Sequence, residues 1–199
     1  MSGTPAAGAL LGRAPWTTAG QLTGDQRAFV ALVRDRWSGA GLGIDPVDAQ
    51  GRLSGPFDLM AASPRVGEAV LDLAGRFREG ELTAVERELV ILVVAALDGC
   101  AYMQDGHEPL ALRAGASPDL VTAIRGGRPR TSGDHLVVRS VAGDLCEHGD
   151  LAPHAFEDAL TQLGWPRLQE VVWLVGLYRA LAMAMRVAQV GPAPTLSEG

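Results

Sequence analysis

Lysine is absent from this 199-residue sequence, so every one of its 17 basic side chains is an arginine. A chain without a lysine amine has no route to Schiff-base catalysis. Cysteine is nearly as scarce. Cys100 and Cys146 stand far apart, and in a cytoplasmic chain, where structural disulfides are uncommon, they are expected to do different jobs. Long hydrophobic runs are missing too: the longest, residues 89–97, falls well short of the ~20 apolar residues that span a bilayer. No basic stretch followed by an apolar core opens the sequence, so no signal peptide is expected and the cytoplasm is the expected compartment. Net charge is −6 and the arginines are scattered, which argues against nucleic acid, whose phosphates call for a basic patch. No segment alternates apolar and polar residues between hairpin turns, so strands are expected to be absent or trivial.

Hydrophobic residues make up 47% and charged residues 20% of the chain, the balance of a soluble globular domain rather than a disordered or membrane chain. At this length one compact domain buries roughly 70% of its unfolded surface. A single domain over 23–190 is therefore expected, with a flexible arm at 1–22 and a flexible tail at 191–199. Apolar residues at helical spacing predict helices over 23–37, 58–62, 64–79, 83–97, 100–114, 117–124, 134–147, 153–163 and 166–190. Thr23 and Asp25 start the first, and Gly39, Gly41 and Gly43 are expected to stop it. Thr83 with Glu86 three residues on forms a capping-box pattern ahead of a helix that is apolar on every side and so belongs in the core. Residues 44–57, rich in glycine and proline, read as an irregular connection of the kind that walls a pocket. The architecture is all-α, a bundle of about eight helices. Glu88 and Glu170 each precede an apolar helical run, a weak internal echo.

Chemistry concentrates in the centre, where Glu88, Cys100 and His107 place an acid, a thiol and an imidazole in apolar, helix-patterned surroundings. Cys100 and His107 are seven residues apart, so on one helix they share a face but sit ~10 Å apart along the axis, too far for a hydrogen bond. Gln104 projects from the turn between them. Glu88 would lie ~18 Å from Cys100 on one straight helix, so the Asp98-Gly99 break must turn the chain for the acid to approach the pair. The same break puts Cys100 at a helix N-terminus, where free N–H groups favour a thiolate, while Asp98 opposes it. Taken singly, each residue has a bland reading: Cys100 as packing, His107 as a surface residue and Glu88 as a first-turn acid. Their joint occurrence makes them the catalytic candidates. With no second histidine or cysteine nearby, they do not match a zinc pattern, and no metal is expected.

Segments 55–64 (GPFDLMAASP), 86–92 (ERELVIL) and 99–115 (GCAYMQDGHEPLALRAG) resemble the carboxymuconolactone decarboxylase and alkyl hydroperoxidase D superfamily. The resemblance covers about 140 residues. It implies that superfamily's all-α fold and assembly into a homo-oligomer, such as a dimer, trimer or hexamer. In the thiol-peroxidase branch the motif is Glu, then Cys-x-x-Cys-x-x-x-His, and Glu88, Cys100 and His107 match it. Met103 stands where the second thiol belongs, and a thioether closes no disulfide. In the decarboxylase branch the thiol position is typically histidine. This chain falls between the two, with a pocket made more apolar by Ala101 and Met103. The resemblance also puts Asp58 near the pocket rim.

The expected function is small-molecule catalysis without a cofactor: general acid/base decarboxylation or isomerisation of a carbonyl-containing acid or lactone by Glu88 and His107. Tyr102 is placed to donate to a developing enolate oxygen, and Tyr102, Met103, Gln104 and Asp58 are expected to bind substrate. The alternatives are thiol-dependent peroxide reduction through Cys100 and a non-catalytic ligand-binding role. Outside this segment, Arg113 and Arg125 are candidates to hold an anionic substrate, although exposed helix arginines are the commoner case, and Trp173 and Tyr178 are read first as core or interface residues and second as pocket lining.

Overall fold

The computed structural model describes residues 22–37, 46–47, 53–130, 132–133 and 135–191. The expected arm up to residue 21, the tail from 192, and Gly39, Gly41 and Gly43 lie outside the described residues. Within them are eight helices: α1 (Gly24–Trp37), α2 (Pro56–Ala61), α3 (Pro64–Arg76), α4 (Ala84–Leu97), α5 (Ala101–Arg113), α6 (Pro118–Arg125), α7 (Leu136–His148) and α8 (Pro153–Ala188). The only β pairing among the described residues is a single bridge between Val47 and Leu53, so the all-α expectation holds.

Helix starts follow local chemistry. Thr23 and Gln26 exchange hydrogen bonds at the head of α1, and Thr83 and Glu86 form the expected capping box on α4. Proline opens α2, α3, α6 and α8, where its missing N–H costs nothing. That is why α2 begins at Pro56, two residues before the expected start. The two helices expected at 153–163 and 166–190 are both present, running end to end as α8 on either side of a kink at Gly164, whose φ of 73° and ψ of 164° are not helical and which stands next to Pro166.

The core has two parts. In the larger, α4 is the axis: Leu89, Val90, Leu92, Val93 and Val94 have no exposed surface, and each such side chain contributes roughly 1.5–3 kcal/mol by burial. Helices α5, α6, α7 and α8 surround it. A smaller cluster joins α1, α2 and α3 through Phe29, Val33, Met60 and Leu71. Val70 and Leu181 pack against both clusters.

By length and composition α8 is apolar enough to cross a membrane, which run length did not register because Arg179 and Arg186 interrupt it. Here it is a core helix on one side, burying Leu168, Val171, Leu174 and Met185. On the other side Trp173, Met183 and Val187 are 67%, 56% and 67% exposed.

Candidate active site

The two-part core leaves a cavity of about 540 Å³ along its seam. Phe57, Met60, Leu71 and Ala74 wall it from α2 and α3, Ile91 from α4, Met103 and Leu110 from α5, and Leu174, Leu181 and Met185 from α8. Its polar groups are few: Glu88, His107, Tyr102 and Tyr178, with arginines at positions 36, 78, 87 and 113. A largely apolar cleft with a few convergent polar groups is the usual form of a small-molecule site.

Glu88 and His107 meet because the chain turns between them. Gly99, at a φ of 66°, lets Cys100 N donate to the carbonyl of Ala95 at 2.9 Å, which closes α4. Arg179 and Arg186 of α8 hold this turn: Arg179 reaches the Asp98 carboxylate at 3.3 Å, and Arg186 donates to the Asp98 carbonyl at 2.9 Å. So fixed, α5 packs back along α4, and His107 Nδ1 lies 2.7 Å from Glu88 Oε2. The required bend is present. A carboxylate can only accept, so Nδ1 carries the hydrogen and Nε2 is the basic nitrogen. Both side chains are mostly buried, at 16% exposure for Glu88 and 22% for His107. Tyr178 stands edge-on to the imidazole, with ring centroids 5.5 Å apart.

Cys100 does not share this cavity. It is the N-cap of α5 and is 4% exposed, packed in the larger core. Burial pushes its thiol above the ordinary range, and the backbone bond from Met103 and the charge of Arg186 do not offset this. The helix N-terminus was expected to favour the thiolate; desolvation outweighs it. Cys146 is also buried and free, its thiol pushed up to about 11, chiefly by burial.

The expected substrate-binding residues divide. Tyr102 and Met103 line the cavity. Tyr102 is 4% exposed and shares a 3.2 Å hydrogen bond with Ser54. Its phenol is held neutral by burial. Gln104 does not line the cavity; it donates to Glu108 at 2.6 Å, and Glu108 and Asp105 both bind Arg125. Arg125 is thereby committed, whereas Arg113 lines the cavity. Asp58 is buried in the first turn of α2 and is not among the lining residues.

Tyr178, read from the sequence first as core or interface and only second as pocket lining, packs against the larger core and also lines the cavity. Desolvation, then the nearby Glu88 charge, raises its phenol well above the usual range, so it is a proton-bearing donor at the cavity wall. The only sequence signal was its place on an apolar helix, which fits core packing equally well. Glu170, the echo of Glu88, is structural: it accepts from the backbone N–H groups of Glu81 and Leu82 at 2.8–3.0 Å and ties the α3–α4 loop to α8. No group of three or more metal-ligating side chains occurs among the described residues.

The sequence model of the carboxymuconolactone decarboxylase family matches residues 64–134, a stretch containing Glu88, Cys100 and His107. Among solved structures, the chain is similar to a crystal structure titled an alkylhydroperoxidase AhpD core, an uncharacterized peroxidase-related protein from Ralstonia eutropha. Identity is 16% over 92% of each chain, with a TM-score of 0.66. At that identity the likeness is one of fold. No curated protein matches the chain. Residues 64–134 thus match the carboxymuconolactone decarboxylase family model, and the chain shares the helical fold of the alkylhydroperoxidase AhpD-core structure.

Proposed function

We propose that this protein is a small-molecule enzyme that moves a proton at a carbon next to a carbonyl, in an acid or lactone substrate. The observation carrying this reading is the 2.7 Å contact of His107 Nδ1 with Glu88 at the wall of an apolar cavity. Glu88 holds the imidazole in one tautomer, and Nε2 takes the proton from the substrate carbon. Tyr178 or Tyr102, both neutral phenols, donates to the enolate oxygen that develops. The imidazolium then returns its proton to a different carbon, which isomerises the substrate. In a decarboxylation the electron pair comes instead from the bond to the departing carbon dioxide, and a protonated His107 quenches the carbanion. A positioned acid or base contributes about 10²–10⁴-fold to such steps.

Thiol-dependent peroxide reduction is the second reading, and two observations weigh against it. The Cys100 thiol is buried off the cavity with its acidity lowered, and Met103 occupies the position of a second thiol.

The test is turnover across a panel of carbonyl acids and lactones, followed by proton exchange at the α-carbon in deuterated water. His107→Gln and Glu88→Gln should each lose activity by about 10²-fold or more, while Cys100→Ser keeps it. If the parent instead reduces cumene hydroperoxide with dithiothreitol, and Cys100→Ser abolishes this while the carbonyl panel stays inert, the peroxidase reading replaces this one. If neither turnover or exchange on the panel nor peroxide reduction is seen, the non-catalytic role stands. We further propose that the protein is a cytoplasmic homo-oligomer. Two free thiols suit a reducing compartment, and the exposed positions Trp173, Gly176, Ala180, Met183 and Val187 repeat at the three- and four-residue spacing of a helix–helix seam. Sedimentation of Trp173→Arg against the parent tests the assembly; an unchanged mass rules out this face.

A further inference from the structure

The charges lining the cavity run against those of the chain. The protein has a net charge of −6, yet four of its 17 arginines line this one cavity, against the single carboxylate of Glu88. Two of the four are partly committed: Arg36 pairs with Asp72 at 2.6 Å, and Arg87 donates to the carbonyl of Leu82 at 2.9 Å. Arg78 and Arg113 are exposed and have no carboxylate partner among the described residues. The charge of Arg78 is felt inside, since it acts with Arg87 on the phenol of Tyr178. Arg130, paired with Asp144 and Glu147, and Arg125, paired with Asp105 and Glu108, are neutralised; Arg65 and Arg128 are exposed without a carboxylate partner among the described residues, but they do not line the cavity.

Beneath these guanidiniums the wall is aromatic and thioether rather than polar, with Phe57, Phe77, Met60 and Met103 among its residues. The volume lies within the roughly 300–1,000 Å³ that takes drug-sized ligands. A small, strongly hydrated polyanion would leave that wall uncovered. A neutral hydrocarbon would gain nothing from the two guanidiniums, which are exposed and solvated without it.

We propose that the cavity binds an apolar carboxylate, its anionic head at the rim near Arg78 and Arg113 and its apolar body against the α2, α5 and α8 walls. The inference rests on the proposed use of this cavity as the substrate site and specifies the class of molecule it takes. Head group and reacting carbon are then separate parts of the ligand, the one held by guanidiniums, the other presented to His107. Guanidinium forks match carboxylates in a way that a hydroxyl head cannot exploit.

Calorimetric titration of the full-length protein with acetate, hexanoate, octanoate and decanoate, beside 1-octanol, tests this without turnover. Affinity should rise roughly three- to fourfold per methylene along the longer acids, and octanoate should bind at least about tenfold tighter than 1-octanol. The double variant Arg78→Gln, Arg113→Gln should erase the preference for acid over alcohol and leave the alcohol's affinity unchanged. Equal binding of 1-octanol and octanoate overturns the anion site. Acetate binding as well as decanoate overturns the apolar body, and a preference that survives the double variant overturns the arginine assignment. Glu88→Gln separates the two claims: the acid preference persists in it even if the dyad proves catalytically idle.

Discussion

Glu88→Gln keeps an acceptor beside His107 and removes only its charge. The bond at 2.7 Å joins side chains 16% and 22% exposed. A hydrogen bond to a charged group is worth about 1.5–3 kcal/mol, roughly twice a neutral one. Loss of the charge should therefore cost about 1 kcal/mol, which is roughly fivefold in the preference for the Nδ1-protonated tautomer. The assay is nitrogen-15 NMR of labelled imidazoles, in which protonated and bare ring nitrogens are well separated. In the parent protein, His107 should report hydrogen on Nδ1 and a free lone pair on Nε2; in the variant the two forms should mix. Thermal melting gives a coarser reading, a fall of about 2–4 °C. The variant also removes a buried charge, which offsets part of that fall, so the imidazole spectrum decides. A parent spectrum with hydrogen on Nε2, or identical His107 spectra in parent and variant, would refute the dyad.

Two further outcomes follow from the same packing. In Gly55→Ala the new Cβ would sit 2.1 Å from Tyr102 Cζ, at a φ of 57° that L-residues rarely adopt, so the variant should lose about 1–3 kcal/mol. Tyr102 should also lose its bond to Ser54, giving a lower melting temperature and an altered tyrosine spectrum; an unchanged melt would count against this contact. The Cys146 thiol titrates near 11 when folded against 9.0 for an ordinary thiol. The folded state therefore holds its proton more tightly, and this contribution to stability is complete below pH 9 and lost as pH rises to about 11. Melting temperatures should decline across that window and decline less steeply in Cys146→Ala; equal slopes would show that the thiol is not desolvated as described.

Much of the fold was legible because its determinants are local. Capping pairs at Thr23 and Thr83, prolines at helix starts and the Gly99 stop act within a few residues of chain, and the apolar α4 segment could only be central. The bend needed to join Glu88 to the Cys100–His107 segment followed from helix geometry and the Asp98-Gly99 break. What the sequence could not carry was the choice of partner. Spacing along α5 grouped Cys100 with His107, yet the fold buries the thiol in the core and turns the imidazole to Glu88 on another helix. Gln104 looked like a bridge to substrate and is taken by Glu108, while Tyr178 looked like core and stands at the cavity. Arg139, with no exposed surface, donates to the carbonyls of Pro129 and Gly133, a buried cation that no periodicity announces. Sequence determined which elements form and which segment gathers the acid, thiol and imidazole candidates, since both depend on neighbours in the chain. The packing of the α1–α3 cluster against the α4–α8 core decided where the cavity lies and which side chains share it, because such contacts join residues distant in sequence and depend on the angles at which helices meet.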